Sequence, residues 1–100
     1  KIVRTVSLYH SMYSNETWRV AVEPPVRKVL KRLPKDDHIR IIDAIQSLIT
    51  DPYAGDLQKL GGTDNSWRRR IGSFRIFFEI SQSERRVDIF KIERRGSKTY

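Results

Sequence analysis

The sequence predicts an α+β domain of order β-α-α-β-β-β, a helical hairpin packed on one face of a mostly antiparallel four-stranded sheet. Three features predict it. Apolar residues alternate with period two near residue 20 and again between residues 67 and 92, as in half-buried strands. Between those stretches they recur at spacings of three and four, the stripe of amphipathic helices. Proline or glycine marks most changes of period.

Residues 1–16 show no clear period and are read as an N-terminal appendage, in part expression-derived, with residues 17–100 as the domain proper. Trp18, Val20 and Val22 alternate with Arg19, Ala21 and Glu23 in the first strand, which Pro24 and Pro25 end. Pro25 suits the first turn of a helix. Val26, Val29, Leu30 and Leu33 supply its apolar stripe, with Arg27, Lys28, Lys31 and Arg32 opposite. Pro34 breaks that helix. Asp36 and Asp37 favour the positive start of a second one, whose stripe runs through Ile41, Ile42, Ile45, Leu48 and Ile49 to the stop at Asp51-Pro52. Gly61-Gly62 and Asp64-Asn65 mark a loop. Trp67 to Ile71, Phe74 to Ile80 and Arg86 to Ile92 read as three strands, joined by a bend or tight turn at Gly72-Ser73 and a polar turn from Ser81 to Glu84.

Composition narrows the function. A chain of 100 residues, 38% of them hydrophobic, has room for one modest core. It has no cysteine, which excludes disulfides, thiolate catalysis and cysteine-held zinc, and fits a cytoplasmic location. No apolar run approaches the roughly 18 residues needed to span a bilayer, and the N-terminus lacks the apolar stretch of a secretory signal. His10 and His38 lie far apart without ligand spacing, and Gly61-Gly62 lacks the Lys-Ser/Thr of a phosphate loop, so neither metal nor cofactor is expected. The net charge of +8 points to a polyanionic partner.

That charge is densest in WRRRIGSFR, Trp67 to Arg75. Side chains alternate across a strand, so Arg68, Arg70 and Arg75 fall on the face away from the helices, with Phe77 and Glu79 nearby. Phe74, Ile76, Phe78 and Ile80 face the helices. The C-terminal ERRGSKTY adds Arg94, Arg95, Lys98 and Tyr100. A single arginine on a strand is ordinarily a solvated residue. A cluster of this density, with aromatics beside it, suits single-stranded RNA: guanidinium groups for phosphates and rings for bases. Trp18 and Trp67 are read as packing residues.

The ordered series WRVAVEPPVRKVLKRLP, an isoleucine-rich helix, DPYAGDLQKLGG, WRRRIGSFRIFFEI and IERRGSKTY resembles the RelE/ParE superfamily of bacterial type II toxins, most closely the RelE branch, over about residues 17–100. The resemblance implies the same βααβββ fold and a ribosome-dependent endoribonuclease that cuts mRNA in the ribosomal A site without metal. It implies attack of the ribose 2′-hydroxyl on the adjacent phosphate, which needs a base, cations for the phosphorane and an acid for the leaving oxygen. By that resemblance Arg68, Arg70, Arg75, Arg94 and Tyr100 are catalytic, with Arg95 the neighbouring alternative to Arg94, and Lys59, Arg95 and Lys98 touch RNA. Family members commonly carry lysine at the positions of Arg68 and Arg70, one of them a proposed base. Arginine is a poor base, with a pKa above about 12. Glu79 is therefore the first candidate general base and Glu93 the second. Arg69 stands on the core-facing row in place of an apolar residue. It either reaches past the sheet edge or marks a register one residue off.

The resemblance further implies a cognate antitoxin, acidic and partly disordered when free, that wraps the toxin and blocks its basic face. Two rival activities remain: a ParE-like inhibitor of DNA gyrase, and a basic RNA- or antitoxin-binding module without catalysis.

Overall fold

The computed structural model describes residues 17–62 and 65–94. Its elements are β1 (Arg19–Val22), α1 (Pro24–Arg32), α2 (Lys35–Thr50), β2 (Leu57–Lys59), β3 (Ser66–Ile71), β4 (Phe74–Ser81) and β5 (Arg86–Arg94). The sheet runs β1-β5-β4-β3-β2, antiparallel except where β1 lies parallel to β5. Among the described residues it therefore has five strands, where the sequence predicts four. The added strand is β2, placed by the sequence reading in a loop. Its three residues are too few to show a period of two, and it exists through pairing with β3 alone.

Both helices cover one face of the sheet. α1 packs chiefly over β5, and α2 over β1 and β3. Pro24 and Pro25 open α1, where missing backbone N–H groups are harmless. Val26 and Leu30 are its buried residues, while Val29, assigned to the same stripe, is 38% exposed. Pro34 precedes α2, and Asp36 and Asp37 occupy its first turn, complementing the positive end of the helix dipole. His38 also lies near the start of α2, its Nδ1 2.9 Å from the Leu30 carbonyl oxygen across the joint.

The core joins Val26 and Leu30 of α1 to the inner sides of α2 and of the sheet. Val20 and Val22 come from β1, Ile41, Ile45, Leu48 and Ile49 from α2, and Phe74, Ile76, Phe78, Ile80, Val87 and Ile89 from the inner rows of β4 and β5. Phe78, Ile41, Ile45 and Leu48 have no exposure at all. Burial of each such side chain contributes about 1.5–3 kcal/mol. Trp18 and Trp67 serve as packing residues, bridged by Tyr53, whose ring stands edge-on to both at 6.1 and 5.9 Å between centroids.

Gly72 sets the β3–β4 hairpin. Its φ of 59° occupies the first central position of a two-residue loop between the paired Ile71 and Phe74. A side chain with a Cβ resists that conformation, and the type II′ turn it makes matches the twist of the strands. The loop fixes the register that follows: Arg70 opposite Arg75, and Arg68 opposite Phe77.

Candidate functional site

The hairpin brings Arg68, Arg70 and Arg75 together on the open face. Arg70 and Arg75 are direct cross-strand partners, an arrangement of like charges that lowers stability. β2 and the residue before it supply two polar neighbours that sequence reasoning missed, Gln58 and Asp56. These five residues line a small cleft of about 80 Å³. Arg70 Nε lies 3.5 Å from Asp56 Oδ2, and Arg68 Nη2 donates a hydrogen bond to Gln58 Oε1. The Asp56 carbonyl also accepts the Arg70 N–H at 3.0 Å, which ties this turn to the cationic strand. Arg75 Nη1 lies 3.2 Å from Glu93 Oε1, and Glu93 Oε2 is 3.6 Å from Lys91 Nζ. All of these pairs are substantially exposed, so they orient the guanidinium groups and add little to stability.

A β-bulge decides which C-terminal residues join them. Phe78 pairs with Ile89, but Phe77 pairs with Lys91, so Phe90 is an extra residue in β5. Strict alternation from Val87 and Ile89 would turn Glu93 inward and Arg94 outward. The bulge reverses this: Glu93 lies opposite Arg75 on the open face, and Arg94 lies opposite Phe74 on the helix side. The Arg94 guanidinium sits 5.4 Å from the Phe74 ring centroid, so the structure does not bring it to Arg75. The adjacent apolar pair Ile89-Phe90 was the sequence signal for this phase slip.

Glu79 is not beside the cluster. It is exposed and pairs across the sheet with Ser66 and Asp88. Four residues of strand, about 13 Å, separate it from Arg75. Among the described residues, the carboxylates that touch these arginines are Asp56 and Glu93. Phe77 does lie on the open face but is only 9% exposed, flanked by Phe90 and with the Lys91 ammonium 5.1 Å from its ring centroid. It is therefore no open platform for a base. Lys59 stands on β2 opposite Trp67, on the helix side of the sheet, with its ammonium 5.9 Å from the indole centroid. Arg95, Lys98 and Tyr100 fall outside the described residues, as do residues 1–16. Among the described residues, no three His, Cys, Asp or Glu side chains gather as a metal would require, and no helix is long and apolar enough to cross a membrane.

Arg69 keeps the predicted register and faces the helices. Its Nη1 donates to Ser47 Oγ at 2.7 Å, and Ser47 in turn bonds the Ala44 carbonyl at 2.6 Å. Gly55, at φ 90°, lies against this guanidinium: a Cβ there would come within 2.6 Å of Nε. Burial lowers the Arg69 pKa, with Asp51 partly opposing it. A lowered folded-state pKa penalises the charged form equally at every pH well below it, and relief comes only near the alkaline limit. The penalty of burying this charge is therefore constant around neutral pH, and Arg69 does not make the fold pH-sensitive there. Arg69→Met is expected to unfold at the same or a higher denaturant midpoint, since apolar replacement of a partly buried charge is commonly neutral or stabilising. A clear drop in the urea midpoint would show instead that the Ser47 bond dominates.

Comparison with known proteins gives concordant results. The family model described as ParE toxin of type II toxin–antitoxin system, parDE, matches residues 20–98. The protein named RelE1 in Methanocaldococcus jannaschii is 33% identical over 81 residues, which span 78% of this chain and 90% of that one. The archaeal RelE–RelB complex from Pyrococcus horikoshii contains a chain similar at 29% identity and a TM-score of 0.72, covering 81% of this chain and 98% of that one. The isolated E. coli RelE toxin shares the fold, at a TM-score of 0.68 and 11% identity, over 84% of this chain and 90% of that one.

Proposed function

Because the chain belongs to the ParE toxin family of type II toxin–antitoxin systems, within the RelE/ParE superfamily, we propose that this toxin is a ribosome-dependent endoribonuclease acting in the cytoplasm on mRNA in the ribosomal A site. The observation that carries the proposal is the cleft itself. Three guanidinium groups converge on the open sheet face with a carboxylate at the rim, although the Arg70–Arg75 pairing lowers stability. Fixed, always-charged forks suit a phosphate whose charge grows in the transition state.

In the proposed reaction the ribose 2′-oxygen attacks phosphorus as its proton passes to the Asp56 carboxylate. Arg68, Arg70 and Arg75 hold the non-bridging oxygens of the phosphorane. The bond from phosphorus to O5′ breaks, and O5′ leaves with a proton taken from water. The products are a 2′,3′-cyclic phosphate and a 5′-hydroxyl. In this reading Glu93, the second candidate base, is assigned the orienting of Arg75 through the 3.2 Å contact. The same basic face suits an acidic cognate antitoxin, and the similar Pyrococcus chain occurs in a complex with RelB.

The test is primer extension on mRNA in a translating extract. Cuts within codons that appear only while ribosomes translate are the expected result. Intact mRNA together with blocked gyrase supercoiling would replace this reading by the ParE-like one. Intact mRNA with active gyrase would leave a binding module.

A further inference from the structure

At the opposite end of the sheet from the arginine cleft lies a pocket of about 540 Å³, lined among others by Tyr53, Asn65, Trp67, Ile80, Gln82 and Ser83. We propose that it is a nucleobase-binding subsite, accepting a flat base from single-stranded RNA or from a free nucleotide. Strand parity sets it apart from the arginines: Trp67 is on the helix side of β3, where Arg68 and Arg70 are not. Its volume falls in the range of small-molecule sites.

The wall has the chemistry of base recognition. Tyr53 and Trp67 stand at 88° with centroids 5.9 Å apart, so they form a corner. A planar ligand seated there stacks on one ring and presents its edge to the face of the other, the two favoured aromatic geometries. Ile80 closes the apolar side. Gln82 Nε2 donates to Tyr53 Oη at 2.8 Å, which fixes the amide and leaves its carbonyl oxygen an acceptor for a base N–H. The Asn65 amide and the Ser83 hydroxyl add donors and acceptors for the rest of the base edge. The six carry no formal charge, so the pocket itself suits a neutral ring. The cations stand just outside: Lys59 over Trp67, and Arg85 4.7 Å from the ring centroid of Trp18, the next member of the aromatic row. The phosphate of a bound nucleotide, carried on its ribose, is attracted toward that positive charge.

The proposal makes no assumption about cleavage, and NMR titration of the full chain tests it. AMP is expected to shift the Trp67 indole and the Gln82 and Ser83 amide resonances, while ribose 5-phosphate leaves them in place. Gln82→Ala removes one hydrogen bond from an exposed residue. It is expected to weaken AMP binding by about fivefold with an unchanged melting temperature. A short oligoadenylate separates the two sources. Tighter binding than AMP identifies an RNA subsite, and binding no tighter than AMP identifies a nucleotide site. The proposal is overturned if millimolar AMP leaves these resonances unmoved, if ribose 5-phosphate moves them equally, or if shifts are confined to Arg68, Arg70 and Arg75. Arg75→Ala is expected to leave AMP binding intact, so a failure here and a failure of the cleavage reading are distinguishable.

Discussion

Replacing Arg75 by alanine is expected to lower mRNA cleavage by about 10²–10³-fold, the loss typical of removing one preorganised donor from a developing oxyanion. Primer extension with graded amounts of protein in a translating extract reads the change. Stability is expected to move the other way or not at all. Arg75 faces Arg70 directly across the hairpin, so its removal relieves repulsion, and Glu93 keeps Lys91 as a partner. A variant that lost activity because it unfolded would show a lower melting temperature. An unchanged or raised melting temperature with lost cleavage assigns Arg75 to the chemistry. Full activity in the variant would remove Arg75 from it.

The second large effect concerns the proton. Asp56→Asn keeps the size and the hydrogen-bonding oxygen of the side chain but can no longer accept a proton at neutral pH. A general base contributes about 10²–10⁴-fold, so a loss of that size is expected if Asp56 takes the 2′-proton. Glu93→Gln disturbs only the orientation of Arg75 and is expected to cost less than Asp56→Asn. Glu79→Gln, beyond the cluster, is expected to leave cleavage unchanged. The order of the three rates decides the assignment. Glu79 as the most damaging site would restore the carboxylate that simple strand-face reasoning favours.

The fold was legible because period and punctuation agreed. Pro24-Pro25, Pro34 and Gly72-Ser73 divide the chain near the observed element boundaries, and the row Phe74, Ile76, Phe78, Ile80 is the buried row of the sheet. The edge strand β2 was not legible, because Leu57–Lys59 pairs through its backbone and offers no side-chain pattern of its own. At the site, the grouping of Arg68, Arg70 and Arg75 followed from the pleat alone. Asp56 and Gln58 did not, since Asp56 lies in a loop whose path no periodicity encodes and Gln58 lies in the short strand β2, set opposite Arg68 by backbone pairing alone. Glu93 and Arg94 exchanged faces because one extra residue, Phe90, inverts the pleat downstream of it. Arg69 illustrates a third case. Its register was right, but only the tertiary structure supplies Ser47 and the bare backbone of Gly55 that let a guanidinium lie under the helix.

The parallel pairing of β1 with β5 has a kinetic consequence. Arg19 to Val22 find their partners in Arg86 to Ile89, across nearly the whole domain. Loop closure of that length comes before any reward from the contact, and topologies rich in such pairings fold in milliseconds to seconds. The arginine hairpin is local and needs only its own turn. A chain emerging from a ribosome therefore exposes its cationic hairpin before β5 is available to complete the sheet. In that interval Val20 and Val22 have no strand beside them, and the nascent domain is at its most open to aggregation or capture.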